Sequence, residues 1–213
     1  MRFFDLDSPF MSGLNKLADL VILNLITLLG CLPVLTAGAS LTAMHYVLLK
    51  MVRNEEGYVF RDWFKSFKRN FRQATVIWII FLAAGTMAAL DLWIIQENGG
   101  AIPLFMKVFL ILVILIVYAA YVWVFPILAR YDNTVIKTVA NALTMAFRVL
   151  PRTILMGILA ALPALIFIYL PQVFPIVFLF GFTVPGMACA VLYSPVFRRM
   201  EPEEDGKEED GEL

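Results

Sequence analysis

Histidine is nearly missing from this chain, and so is cysteine: one of the first and two of the second in 213 residues. One histidine cannot build an ordinary catalytic or zinc cluster. Cys31 and Cys189 both sit inside apolar runs, where they read as small packing residues and not as a disulfide framework. No G-x-S-x-G, P-loop, H-E-x-x-H or C-x-x-C pattern occurs, which removes the commonest hydrolase, nucleotide, metalloprotease and redox signatures. No catalytic residue, metal, cofactor or enzymatic activity is therefore expected, and no nucleic-acid partner. Charge is scarce too, at 16% of residues, and no Asp, Glu, Lys or Arg falls between Val21 and Leu49. The opening MRFFDLDSPF carries acids where a signal peptide needs positive charge, so no cleaved signal is expected.

What the chain has is apolar length. It is 61% hydrophobic, well above the roughly half expected of a soluble domain. Several uncharged runs approach or exceed the roughly 20 residues that span a bilayer. The expected fold is an all-α polytopic bundle of about six membrane helices plus two cytoplasmic amphipathic helices. The spans fall at about 14–34, 40–52, 73–95, 103–129, 152–170 and 174–193. The amphipathic segments fall at 58–72 and 134–149. Pro33 and Gly38 break an uncharged run too long for one straight span. The helix at 40–52 is short for a span, so a five-span alternative stands beside the first. In it, 40–52 is re-entrant or interfacial and the N-terminus lies outside. Residues 1–200 form a single membrane domain. Eight of the seventeen acids lie after Met200, in a tail, 201–213, expected to be disordered because it has almost nothing to bury.

The segment Lys50–Arg72 sets the topology. It holds seven basic residues against Glu55, Glu56 and Asp62, and the positive-inside rule makes it cytoplasmic, with both termini on that same side of the membrane. Phe60, Trp63, Phe64, Phe67 and Phe71 share one helical face, and Arg61, Lys65, Lys68 and Arg72 share another. Such a helix suits anionic headgroups; alternatively its aromatic face packs on the protein's own spans. Residues 136–148 repeat the pattern at an offset of 76, with Lys137 and Arg148 matching Arg61 and Arg72. The match reads either as a duplicated helix–amphipathic helix–helix unit or as the likeness that any two amphipathic helices share.

His45 is the most conspicuous single residue, because an ionisable group within an apolar helix suggests function. It reads either as a substrate-contacting group or as a neutral imidazole bonded to Asn24 or Thr27 on the first helix. The turn from Leu32 to Ser40 is a second candidate. Thr36 and Ser40 there either leave helix amides open to an anion or cap them. His45, Asn24, Thr36 and Ser40 are thus the candidate binding residues. Arg61, Trp63, Phe64, Lys65, Phe67, Lys68, Arg72, Lys137 and Arg148 are the candidate membrane-surface or partner contacts.

Leu32-Pro33, Thr36-Ala37-Gly38-Ala39-Ser40, Thr42-Ala43 and the run from Phe64 to Thr75 together resemble the YesL family of bacterial integral membrane proteins. Phe125-Pro126, Ala129-Arg130-Tyr131 and Phe180-Gly181 fit as well. The likeness covers nearly the whole chain except the acidic tail. The family is a domain of unknown function, so the resemblance implies no catalytic residues. It implies a small plasma-membrane protein of Gram-positive bacteria, of a family whose members are often encoded beside carbohydrate-uptake transporters, sensor kinases and glycan-degrading enzymes. The expected role is an accessory or interaction component of carbohydrate uptake or its sensing, with a membrane partner such as a carbohydrate transporter. The alternative is a small secondary transporter or lipid-handling protein with a midplane site near His45.

Overall fold

The computed structural model describes residues 9–55, 57–97 and 103–200, and the acidic tail 201–213 lies outside them. Among the described residues there are eight α-helices and no strand: α1 Pro9–Cys31, α2 Ala37–Val52, α3 Val59–Glu97, α4 Leu104–Arg130, α5 Val135–Arg148, α6 Leu150–Tyr169, α7 Phe174–Phe180 and α8 Thr183–Arg198. Five segments are long and apolar enough to cross a membrane, on α1, α2, α3, α4 and α6. The chain is an all-α polytopic membrane bundle.

The short second helix is the middle of that bundle. Its 16 residues rise about 24 Å. With the preceding 3-10 turn Val34–Thr36 they make a 19-residue apolar segment. Every residue from Ala37 to Met44 is buried. Small residues make this closeness possible, as they commonly do between membrane helices. A Cβ added at Gly38 would lie 2.5 Å from the Ala74 carbonyl oxygen of α3. One added at Gly186 of α8 would lie 2.8 Å from Leu48 Cδ1.

The structure joins two segments that the sequence separates. The segments expected at 58–72 and 73–95 lie in one unbroken helix, α3, which starts at Val59 and has 39 residues, about 58 Å in length. No Gly or Pro falls near Arg72 to break it; only the change from charged to apolar residues suggested a boundary. Its buried face before the membrane is Val59, Trp63, Ser66 and Asn70, not the whole aromatic stripe. Trp63 stacks on Phe67 at 4.9 Å, while Phe60, Phe64 and Phe71 stay exposed. Arg61, Lys65, Lys68 and Arg72 are exposed as well.

α5 falls where the amphipathic reading put it, with Thr134 accepting from the Lys137 amide at its N-terminus. It too buries small residues, Thr138, Ala142 and Ala146, and leaves Ile136 and Phe147 exposed beside Lys137 and Arg148. Ala142 and Ala146 stand at the same offset of 76 from the buried Ser66 and Asn70. The two segments touch: the Gln73 amide donates to the Asn133 carbonyl and to Thr138 Oγ1. Thr153 ties the following helix in, accepting from Trp123 Nε1 at 2.9 Å and donating to the Ala146 carbonyl.

The expected sixth span, 174–193, is two helices with a break at Gly181 and Phe182. The ends of the bundle sort cleanly. Lys16 and Asp19 near the start of α1, Lys50 at the end of α2 and Asp62 at the start of α3 surround one hollow. Lys50 and Asp62 form an ion pair of 2.8 Å there. At the same end of the chain's spans, Phe197 of α8 meets Tyr131 after α4, ring centres 5.4 Å apart.

Candidate functional site

The break between α7 and α8 would leave helix-end groups bare inside the bundle, and a buried bare amide or carbonyl is costly. Asn24 of α1 covers them. Fully buried, it donates through Nδ2 to the Phe178 carbonyl at 2.8 Å. Its Oδ1 accepts from the backbone amides of Phe182 at 3.0 Å and Thr183 at 3.2 Å. One side-chain amide thus closes the end of one helix and opens the next. The expected Asn24–His45 pairing is replaced by this arrangement.

His45 instead faces Tyr193 on α8. Its Nδ1 lies 3.3 Å from the Tyr193 hydroxyl, which also donates to the His45 carbonyl. The rings meet edge to face at 5.9 Å. Thr27, the other expected partner, is fully buried with its hydroxyl unpaired. Its carbonyl accepts from Ser40 Oγ at 2.8 Å. Thr36 Oγ1 likewise donates to the Gly30 carbonyl at 2.6 Å and to the Pro33 carbonyl at 2.9 Å. Both hydroxyls therefore bond carbonyls in the last two turns of α1. Neither caps the start of α2, where no side-chain cap bond forms. Continuing the preceding 3-10 turn gives the first amides backbone partners, such as Ala37 N to the Val34 carbonyl.

The break also opens a cavity of about 390 Å³. Met44 and His45 of α2, Tyr121 and Phe125 of α4, Pro163 of α6, and Phe178 and Cys189 of the broken helix line it. Its walls are apolar, with the imidazole, a phenol and a thiol as the polar groups. Ala160 and Ala164 stand exposed at its rim on α6. His45 is thus the candidate residue that faces the cavity. Asn24 shapes it from behind, and Thr36 and Ser40 hold the neighbouring turn. Among the described residues no group of three His, Cys, Asp or Glu is placed to hold a metal.

Tyr193 and the Asn24–Phe182 contact were not foreseen. Asn24 reaches backbone atoms more than 150 residues away, and backbone atoms leave no sequence pattern. The available signal was Gly181 with Pro185 and Gly186 inside an apolar run.

Residues 20–92 match a family described as a protein of unknown function, DUF624. The matched stretch runs from α1 nearly to the end of α3. It holds Asn24, Thr36, Ser40 and His45 but none of the α4–α8 wall of the cavity. No curated protein matches the chain, and no solved structure does.

Proposed function

We propose that this chain is a non-enzymatic membrane protein that holds an apolar or amphiphilic molecule within its bundle, in the cavity beside His45. The cavity itself carries the reading. Its volume of about 390 Å³ falls in the range of small-molecule sites, which are mostly apolar with a few polar groups. A discontinuous helix beside it is the arrangement that transporters use at midplane sites. The resemblance to the YesL family supports a second reading, an accessory role beside a membrane partner such as a carbohydrate transporter. The outer halves of α3 and α4 suit that role, because Leu90, Trp93, Phe105 and Phe109 are all exposed there.

One purification from native membranes separates the two. Under the first reading, the isolated protein carries an extractable lipid-soluble molecule that mass spectrometry detects. Ala164→Trp, at the exposed rim, should cut that load at least tenfold with the bundle still folded. Equal loads in the two proteins would remove the cavity reading, and a stoichiometric partner subunit would favour the second.

The orientation we assign puts the Lys50–Arg72 end and both termini in the cytoplasm of a plasma-membrane protein, as the positive-inside rule directs. Cysteines introduced at Gly99 and Gln172 should react with an impermeant maleimide on intact cells, and one at Asn54 should not. Labelling at Asn54 would invert the assignment.

A further inference from the structure

A second hollow lies between α3 and α4, on the far side of the bundle's aromatic centre. It is an open cleft of about 710 Å³. It reaches from Trp78 to Asp91 along α3, a rise of about 20 Å, somewhat more than one leaflet of a roughly 30 Å hydrocarbon core. Its inner end is aromatic. Trp78, Phe81, Tyr118 and Tyr121 line it, Tyr118 stacked on Tyr121 at 6.2 Å and Phe81 edge-on to Tyr121 at 5.7 Å. Its middle is made of small residues. Gly85 has no atom within 4 Å of the position a Cβ would take, so the space beside it is open.

Asp91 is the one charged residue among the described residues that line the cleft. It forms no ion pair with another described residue. A carboxylate two turns inside a membrane helix is costly unless something answers its charge. The cleft therefore offers one negative charge near its mouth, a long apolar trough, and ring faces at the closed end. That pattern complements a molecule with one cationic head and one apolar tail.

We propose that the α3–α4 cleft binds an amphiphilic cation, a single aliphatic chain ending in an ammonium group, with Asp91 holding the head and the trough toward Trp78 and Tyr121 holding the chain. The site is separate from the cavity beside His45 and does not rest on that reading, although Tyr121 forms part of both walls.

The test is equilibrium dialysis of labelled dodecyltrimethylammonium against the full chain in dodecyl maltoside, with each variant in the same detergent so that micelle uptake cancels. Wild type should bind the cation saturably. Asp91→Asn should weaken that binding at least tenfold and leave dodecanol binding unchanged. Gly85→Leu, which fills the trough, should abolish both. Dodecyl sulfate should not compete. Displacement of the probe by lysophosphatidylethanolamine would identify a lipid amine as the source. Failure to displace it would point to a free amphiphile in the same site. The proposal falls if Asp91→Asn binds the cation as tightly as wild type, if Gly85→Leu retains the probe, or if dodecyl sulfate competes equally.

Discussion

Asn24→Leu should be one of the two most damaging single changes in this chain. It keeps the size of the side chain and removes every polar atom. The Phe178 carbonyl and the amides of Phe182 and Thr183 then lose their partner at once. A buried group left without its partner costs about 1–3 kcal/mol; the Thr183 amide bond is fully buried and the other two are partly so. A loss of roughly 4 kcal/mol follows for the three, about 10 °C in the midpoint of thermal unfolding for a chain of this size. Asn24→Asp keeps the acceptor for both amides but cannot donate to Phe178, so it should recover only part of the loss. Thermal denaturation in maltoside reads both. A midpoint for Asn24→Leu within about 2 °C of wild type would show that the break is held by something else.

Gly38→Val is the other. A Cβ at Gly38 meets the Ala74 carbonyl oxygen at 2.5 Å and Trp78 Cβ at 2.6 Å. Neither is the loose end of a side chain, so α2 and α3 have to move apart. Overpacking of this kind costs about 1–3 kcal/mol for a methyl, and valine adds two further methyl groups to the same contact. Gly38→Ala should therefore destabilise the bundle, and Gly38→Val should leave little folded protein. Gly85→Ala is the matched control. With open space around it, it should be neutral or stabilising by up to about 1 kcal/mol, since alanine is the better helix former. If Gly38→Ala behaves like Gly85→Ala, the close approach of α2 to α3 is wrong.

These two residues show where the sequence was readable. The spans were legible because uncharged length is a one-dimensional property: nothing between Val21 and Leu49 could remain in water, and Pro33 marked the only sensible turn. The basic stripe was legible for the same reason. Its boundary was not, because a charge pattern changes at Arg72 while the backbone hydrogen bonding does not. The polar face that packs inward, Ser66 and Asn70, was hidden behind the more conspicuous phenylalanines. His45 stood out as an ionisable group in an apolar helix, but its neighbour Tyr193 lies 148 residues away. That pairing depends on how α2 meets α8, which periodicity does not encode. The turn hydroxyls of Thr36 and Ser40 were found, and the direction of their bonds was not. A hydroxyl serves either helix end, and only the 3-10 turn at Val34–Thr36 decides which end needs it.

α2 is the least hydropathic of the five spans and also the most enclosed. During synthesis it leaves the ribosome before α3, α4 and α8 exist. Alone in lipid it would present Thr42 and His45 to hydrocarbon, and each polar or charged residue near a span's centre works against insertion. Only α1 is already there to shield it, through the bond from Ser40 to Thr27. The two helices therefore enter as a hairpin, and the turn at Pro33 is an assembly element before it is anything else. Substitutions that loosen that turn will first lower the amount of protein that reaches the membrane.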